Sequence, residues 1–159
     1  MPSVFSRYVN MGRSPIFLTA NQIVRLYRTC IISSMSAQRS LLDSAVFSSI
    51  NQHHYTSNDN IFYLAAVLAH KIALNHSFSD GNKRTSVAAA DMFLRLNGFR
   101  LTEDGEHQIT KGDKVMEKNH SGSVSSSPLA DAHVAVASGL WDEEDLAQFY
   151  QKVARPLDG

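Results

Sequence analysis

Three observations in the sequence predict a mostly helical fold. Residues 61–74, IFYLAAVLAHKIAL, are apolar on nearly every face, which is typical of a buried helix. Residues 82–97 place apolar side chains at helical spacing and keep one polar stripe. The signal for strands is weak, because only FRLT at 99–102 indicates a strand fragment.

The first two helices can be justified from their capping residues. In LTANQIVRLYRTC, residues 18–30, Thr19 or Asn21 can accept hydrogen bonds from the unpaired N–H groups of a first turn. The helix over 61–74 follows four residues of capping type, Ser57, Asn58, Asp59 and Asn60. Both runs therefore have a defined starting point.

The later helices are predicted by features at their ends. The helix over 82–97 meets Gly98, a residue type that favours the position after a helix. The run LADAHVAVAS at 129–138 is typical of a short helix. DEEDLAQFYQKVA at 142–154 carries its acidic residues early, where they complement the positive end of the helix dipole.

Composition and charge exclude several classes of protein. The 159 residues suffice for one domain with a sizeable core. The 15 basic and 15 acidic residues cancel, so no global cationic field attracts nucleic acid or an anionic membrane, and we expect neither as a partner. No run approaches the length of a membrane span. The single cysteine, Cys30, suits a reducing compartment.

Four segments are expected along the chain: a disordered lead over 1–16, one domain over 17–153, a mobile insertion within it at 107–128, and a tail over 154–159. The insertion is predicted from its serine-rich, turn-forming composition. No acidic residue occurs before Asp43, and this arginine- and serine-rich start is shared by mitochondrial transit peptides. We expect a cytoplasmic protein, with a mitochondrial location as the alternative.

The stretch HSFSDGNKRT, residues 76–85, crowds polar side chains between two apolar helical runs. Its last residues begin the second helix, whose first turn exposes unpaired N–H groups and the positive end of the helix dipole. Gly81 lets the backbone approach a ligand, and Asn82 can cap the helix or hold the loop. Lys83 and Arg84 add an ammonium and a planar fork suited to phosphate oxygens. We therefore expect an anion site here.

Three more residues complete this set. Asp80 is a hard oxygen ligand of the kind that Mg²⁺ takes alongside substrate phosphates. His76 has a proton affinity that suits a general base near neutral pH, and Phe78 is expected to anchor the loop in the core. Singly, a histidine after a helix is more often structural and an Asp-Gly-Asn triplet more often a plain turn. Together they match the roles that phosphoryl or nucleotidyl transfer requires.

The stretch HSFSDGNKR at 76–84 resembles the signature of the Fic/Doc family, H-x-F-x-[DE]-[GA]-N-[GK]-R, at every defined position. Four more stretches are similar to the Doc branch of that family: LLDSAV, AAVLAHKIALNHSF, DMFLRLNGFRL and VAVASGLWDEEDLAQF. The resemblance implies an all-α fold, a compact Fic/Doc-type helical bundle whose motif loop joins two central buried helices.

The resemblance also implies an enzyme that uses ATP and Mg²⁺. Its residues would be His76 as catalytic base, Asp80 as metal ligand, Phe78 as structural anchor, and Gly81, Asn82, Lys83 and Arg84 as nucleotide-binding residues. The partners implied are a nucleotide and a protein substrate with a Ser, Thr or Tyr hydroxyl, with an antitoxin as a further partner.

Two positions separate the chemistries within the family. Members that transfer AMP have a glycine after the motif asparagine and a second arginine three residues beyond the first, where this chain has Lys83 and Val87. Both departures resemble the Doc branch, whose toxin members are kinases that act on the translation machinery. We therefore expect transfer of the ATP γ-phosphate. AMP transfer is the alternative, and a catalytically silent binding scaffold is a third reading, disfavoured because the motif is intact.

Overall fold

Helices form most of the described structure. The computed structural model describes residues 13–31, 37–103 and 127–157. The elements in those ranges are α1 (Ala20–Cys30), α2 (Arg39–Thr56), α3 (Ile61–Leu74), α4 (Asn82–Leu96), β1 (Phe99–Leu101), α5 (Pro128–Ala137), α6 (Glu143–Val153) and β2 (Ala154–Pro156). The all-α class predicted from the sequence is confirmed, with one small two-stranded sheet added.

Helix α3 lies at the centre of the fold. It packs against α2, α4, α5 and α6, and its apolar residues are buried on nearly every face, as its sequence predicted. Its side chains join those of α1, α4 and α6 in one hydrophobic core. Because α3 and α4 are adjacent in space and in sequence, the loop between them is anchored at both ends by buried helices.

The predicted caps are confirmed at both early helices. The Thr19 side chain accepts from the backbone N–H of Gln22, and the Gln22 side chain returns a bond to the Thr19 N–H, which makes a capping box. Asn60, the last of the four capping candidates, accepts from the first-turn amides of α3. In the last helix, Asp142 caps α6 in the same reciprocal way with Asp145.

The structure differs from the predicted segments at their edges. Residues 154–156 of the expected tail form β2, antiparallel to β1 with Leu101 opposite Ala154. Three residues are too few to show an alternating pattern, so the sequence did not reveal this strand. Ser127 and Pro128, placed in the insertion, are the cap and first residue of α5.

The expected lead also differs at its end. Ile16 exchanges two backbone hydrogen bonds with the Asn97 side chain at the end of α4, at 2.8 and 2.9 Å. The remainder of the lead, residues 1–12, and residues 104–126 of the expected insertion region lie outside the described residues. None of the helices in the described ranges has the length and apolarity needed to cross a membrane.

Candidate active site

Phe78 holds the loop between α3 and α4 in the core. Its side chain is 1% exposed and stacks on Tyr27 of α1, with ring centroids 3.9 Å apart and an interplanar angle of 17°. Burial of a phenylalanine side chain contributes about 1.5–3 kcal/mol. The backbone of Phe78 also forms an isolated antiparallel bridge with Ala37, just before α2. The loop is therefore attached to both α1 and the start of α2.

The Asn82 side chain closes the loop on itself. Its Oδ1 accepts from the Phe78 N–H at 3.0 Å, and its Nδ2 donates to the Phe78 carbonyl at 2.7 Å. Both groups of the amide are thus used by one backbone position, which fixes the loop against the first turn of α4. Of the two structural roles foreseen for Asn82, capping or holding the loop, the geometry shows the second.

Gly81 occupies a position that other residues would strain. It is the residue before α4 and has φ of +79°, in the left-handed region. A Cβ built on it would lie 2.9 Å from Cγ2 of Ile31 and 3.4 Å from Cε2 of Tyr27. A side chain at Gly81 would therefore meet α1 as well as an unfavourable backbone conformation.

The first turn of α4 has no side-chain cap. Gly81 has no side chain to cap the first turn, and that turn contains no acidic residue. Helices α1, α3, α5 and α6 have side-chain caps, whereas α2, like α4, has none. First-turn N–H groups without such a cap favour an anion, phosphate above all.

Asp80 and Arg84 form an exposed and weak ion pair beside this turn. Asp80 Oδ1 accepts from the Gly81 N–H at 2.7 Å, and Oδ2 lies 3.9 Å from Nη2 of Arg84. The two side chains are 70% and 59% exposed, so the pair contributes little to stability. An incoming cation at Asp80 and an incoming phosphate at Arg84 could therefore replace it at small cost.

Tyr27 is a part of this site that sequence reasoning missed. Its hydroxyl donates to the Asp80 carbonyl at 3.0 Å, while its ring stacks on Phe78 and faces Gly81. One buried side chain of α1 thus contacts three successive parts of the motif. Its place in the predicted helix over 18–30 was visible in the sequence, but no local pattern linked it to the motif.

His76 projects from a backbone that is fixed on both sides. Asn75 donates from Nδ2 to the Leu41 carbonyl at 2.7 Å, and the Ser77 carbonyl accepts from the Gln38 N–H at 2.6 Å. Between them His76 has φ of +54°, an uncommon conformation for a histidine, which is held by these flanking bonds. Its side chain is exposed, and no hydrogen bond to its ring is found within the described ranges.

Lys83 and Val87 lie on the first two turns of α4 but face different surroundings. Lys83 is exposed, whereas Val87 is half-buried and packs against the hydrophobic core. The structure therefore brings Asp80, Gly81 and Arg84 into one cluster and leaves the side chains of His76 and Lys83 exposed on the same loop and turn. No described contact joins those last two side chains to the cluster.

The donor set fits Mg²⁺ bound together with phosphate. Among the described residues no group of three or more His, Cys, Asp or Glu side chains could hold a metal by itself. Mg²⁺ usually binds through one or two carboxylates and completes its octahedron with phosphate oxygens and water. A single exposed carboxylate at Asp80 beside a phosphate-binding helix end is sufficient for that arrangement.

Comparison with known proteins agrees with this geometry. The family model of the Fic/DOC family matches residues 17–94, which run from before α1 to near the end of α4 and include the whole motif loop. Over 40 residues the chain is 52% identical to "Toxin Doc" of Mycolicibacterium smegmatis (strain ATCC 700084 / mc(2)155). That match covers 25% of this chain and 31% of the relative. The chain belongs to the Fic/Doc family, and its similarity lies with the death-on-curing (Doc) branch.

Proposed function

We propose that this protein transfers the γ-phosphate of ATP to a hydroxyl side chain of a target protein. Members of the Fic/Doc family are generally transferases. The observation that carries the proposal is the Doc-type signature at the start of α4, where an exposed carboxylate, a glycine and an arginine lie together beside an uncapped helix end. Such a cluster suits a triphosphate better than it suits a neutral ligand.

The nucleotide would be held by the first turn of α4. Its phosphate oxygens would accept from the backbone amides after Gly81 and from the guanidinium of Arg84, with the ammonium of Lys83 as a second cation. Asp80 would hold Mg²⁺, which when bound neutralises charge on the phosphates. Asn82 would act through the loop, because both polar groups of its amide are bound to the Phe78 backbone.

His76 would act as the general base. Its ring would take the proton from the target hydroxyl as that oxygen bonds to the γ-phosphorus, and the bond from phosphorus to the β–γ bridging oxygen would break to release ADP. The free ring and fixed backbone suit this role, since a base needs an available nitrogen and a defined direction. The products are ADP and a phosphorylated side chain, with the proton on His76.

AMP transfer is the second candidate, and two residues favour phosphate transfer over it. Lys83 fills with a side chain the position where AMP-transferring members have glycine. Val87, in the position of their second arginine, packs against the core and offers no phosphate ligand. A kinase toxin of the Doc type would also have an antitoxin as partner and a component of translation as target, and both belong to this proposal.

Labelled ATP tests the proposal. The purified chain is incubated in a lysate with Mg²⁺ and with ATP labelled at either the α or the γ phosphate. We expect γ label on protein, at least a hundredfold weaker with His76→Ala, which is the low end of the loss of a general base. His54→Ala, at an exposed histidine near the end of α2, is the matched control and should retain labelling. Transfer of the α label, or full activity of His76→Ala, would contradict the proposal.

A further inference from the structure

A buried chain of polar side chains links α4, α5 and α6 below the motif turn. Ser86, His133 and Tyr150 are 0%, 1% and 0% exposed. The Ser86 hydroxyl oxygen lies 2.7 Å from the Lys83 carbonyl and 2.7 Å from Nδ1 of His133. The Tyr150 hydroxyl lies 2.7 Å from Nε2 of the same ring. The chain therefore ends on the backbone of Lys83, inside the candidate phosphate-binding turn.

The positions of the protons follow from the number of donors. Ser86 has one hydroxyl hydrogen, and its donation to the Lys83 carbonyl leaves the oxygen to accept from Nδ1–H of His133. Nε2 then carries a lone pair and accepts from the Tyr150 hydroxyl. In the other tautomer the Ser86 hydrogen would leave Lys83, and the Tyr150 hydrogen would have no acceptor among the described residues. Hydrogen-bond donation therefore runs in one direction, from Tyr150 to His133, from His133 to Ser86, and from Ser86 to the Lys83 carbonyl.

Burial keeps the histidine neutral. Desolvation lowers the pKa of His133 from 6.5 to about 3, and desolvation also raises the pKa of Tyr150 well above its usual value. The His133 ring therefore stays neutral and the Tyr150 hydroxyl stays protonated, as the hydrogen bonds between them require. A neutral ring between two hydroxyls gives each of its nitrogens one partner.

The last hydrogen bond of this network, from Ser86 to the Lys83 carbonyl, affects the orientation of one backbone amide in the proposed nucleotide site. The Lys83 carbonyl and the Arg84 N–H belong to one planar peptide unit, and in a helix they point in opposite directions along the axis. The Ser86 hydroxyl, which is itself held by His133 of α5, binds this carbonyl and therefore helps to fix the direction of the Arg84 N–H toward the open end of α4. Thr85 does the same for the peptide unit between Gly81 and Asn82, because its hydroxyl and its N–H both bond to the Gly81 carbonyl at 2.8 and 2.9 Å.

We propose that His133 is a positioning residue for nucleotide binding, acting through Ser86 on the peptide unit between Lys83 and Arg84. The inference rests on the proposed function, since it assumes that this turn binds phosphate. Buried polar groups can often be replaced by apolar side chains of similar volume at little cost in stability, so packing alone does not explain this network. The network instead connects α5 and α6 to the first turn of α4 through hydrogen bonds of defined geometry.

Two isosteric replacements separate the two sides of the imidazole. In His133→Asn the side-chain amide nitrogen can take the place of Nδ1 and donate to Ser86. In His133→Gln the longer amide reaches the place of Nε2 and accepts from Tyr150, which leaves Ser86 without its donor. Positioning by His133 therefore predicts that asparagine rescues nucleotide binding and glutamine does not.

The affinity for Mg²⁺–ATP is measured by titration calorimetry on the full chain. Loss of one hydrogen bond of about 1 kcal/mol corresponds to about fivefold in affinity, so we expect His133→Gln to bind about fivefold more weakly and His133→Asn to stay within about twofold. Equal affinities for the two variants would overturn the proposal. So would a wild-type affinity for both.

A pair of serine variants keeps the test decisive where a histidine variant fails to fold. Ser86→Ala removes the link itself, and Ser49→Ala removes a hydroxyl that is equally buried but bonds to the Leu64 carbonyl, away from the motif. Ser86→Ala should weaken Mg²⁺–ATP binding about fivefold. Ser49→Ala should lower only the melting temperature. Equal affinities of the two serine variants would refute positioning.

Measurements of ATP binding test the role of His133, whereas measurements of label transfer test the proposed function. If the wild type binds Mg²⁺–ATP and the variants differ as stated, His133 positions the turn even when the transferred group proves to be AMP. If transfer of the γ label is found but the variants bind ATP equally, the proposed function stands and the role of His133 is refuted.

Discussion

The buried imidazole of His133 predicts a specific loss of stability in acid. The folded pKa of about 3 lies below the ordinary value of 6.5, so the unfolded chain binds the proton more readily over that interval. Stability from this group is fully present above the unfolded pKa and is lost as the pH falls toward the folded one. At pH about 4.5, two units below the unfolded value, the loss is about 3 kcal/mol at 1.36 kcal/mol per unit.

Urea unfolding of the wild type and of His133→Asn at pH about 7 and about 4.5 measures this loss. Other carboxylates and histidines titrate in both proteins, so the difference between the two proteins isolates His133. Desolvation and, after it, the charge of Asp91 raise the pKa of Tyr150. We expect the wild type to lose about 3 kcal/mol more than the variant between the two pH values. Equal losses would show that His133 is not held neutral by burial.

Three further predictions concern the motif. Gly81→Ala should lower stability by more than the roughly 1–2 kcal/mol of a left-handed alanine, because its Cβ would lie 2.9 Å from Cγ2 of Ile31, the residue that follows α1. Gly98→Ala, with a similar φ and nothing within 4 Å, should show only the conformational cost in thermal unfolding. Asp80→Asn should weaken Mg²⁺-dependent ATP binding in calorimetry, while Asp43→Asn, another exposed carboxylate in an i,i+4 pair, should not; an unchanged Mg²⁺ dependence of Asp80→Asn refutes the metal role. Tyr27→Phe should cost about 1 kcal/mol by removing the bond to the Asp80 carbonyl, and a variant as stable as wild type in urea would contradict that bond.

The sequence predicted the helices whose ends and apolar faces are both distinct. Helix α3 is apolar throughout and begins after Asn60, so its composition and its capping residue both indicate the same helix. Helix α2 was not identified by periodicity, because Phe47 and Tyr55 place large apolar side chains outside its buried face, which itself includes the polar Ser49. Its pattern becomes clear only once α3 shows which face is covered.

Within the site, the sequence indicated residue types but not their tertiary partners. Phe78 was expected in the core, yet the side chain it stacks on, Tyr27, is 51 positions away. Contacts between distant positions leave no local pattern, and the same holds for His133, which reaches Ser86 across 47 positions. The motif in the sequence therefore identifies the reactive side chains, whereas the contacts that hold them in place are seen only in the folded structure.

The identity of the transferred group is the most direct test of γ-phosphate transfer by this protein. The unaltered protein is incubated with Mg²⁺–ATP and a lysate, labelled target is isolated, and its added mass is measured by mass spectrometry. We expect the mass of one phosphate on a serine, threonine or tyrosine, absent when His76 is replaced by alanine. An added AMP, which is far heavier, would contradict it and establish the alternative chemistry.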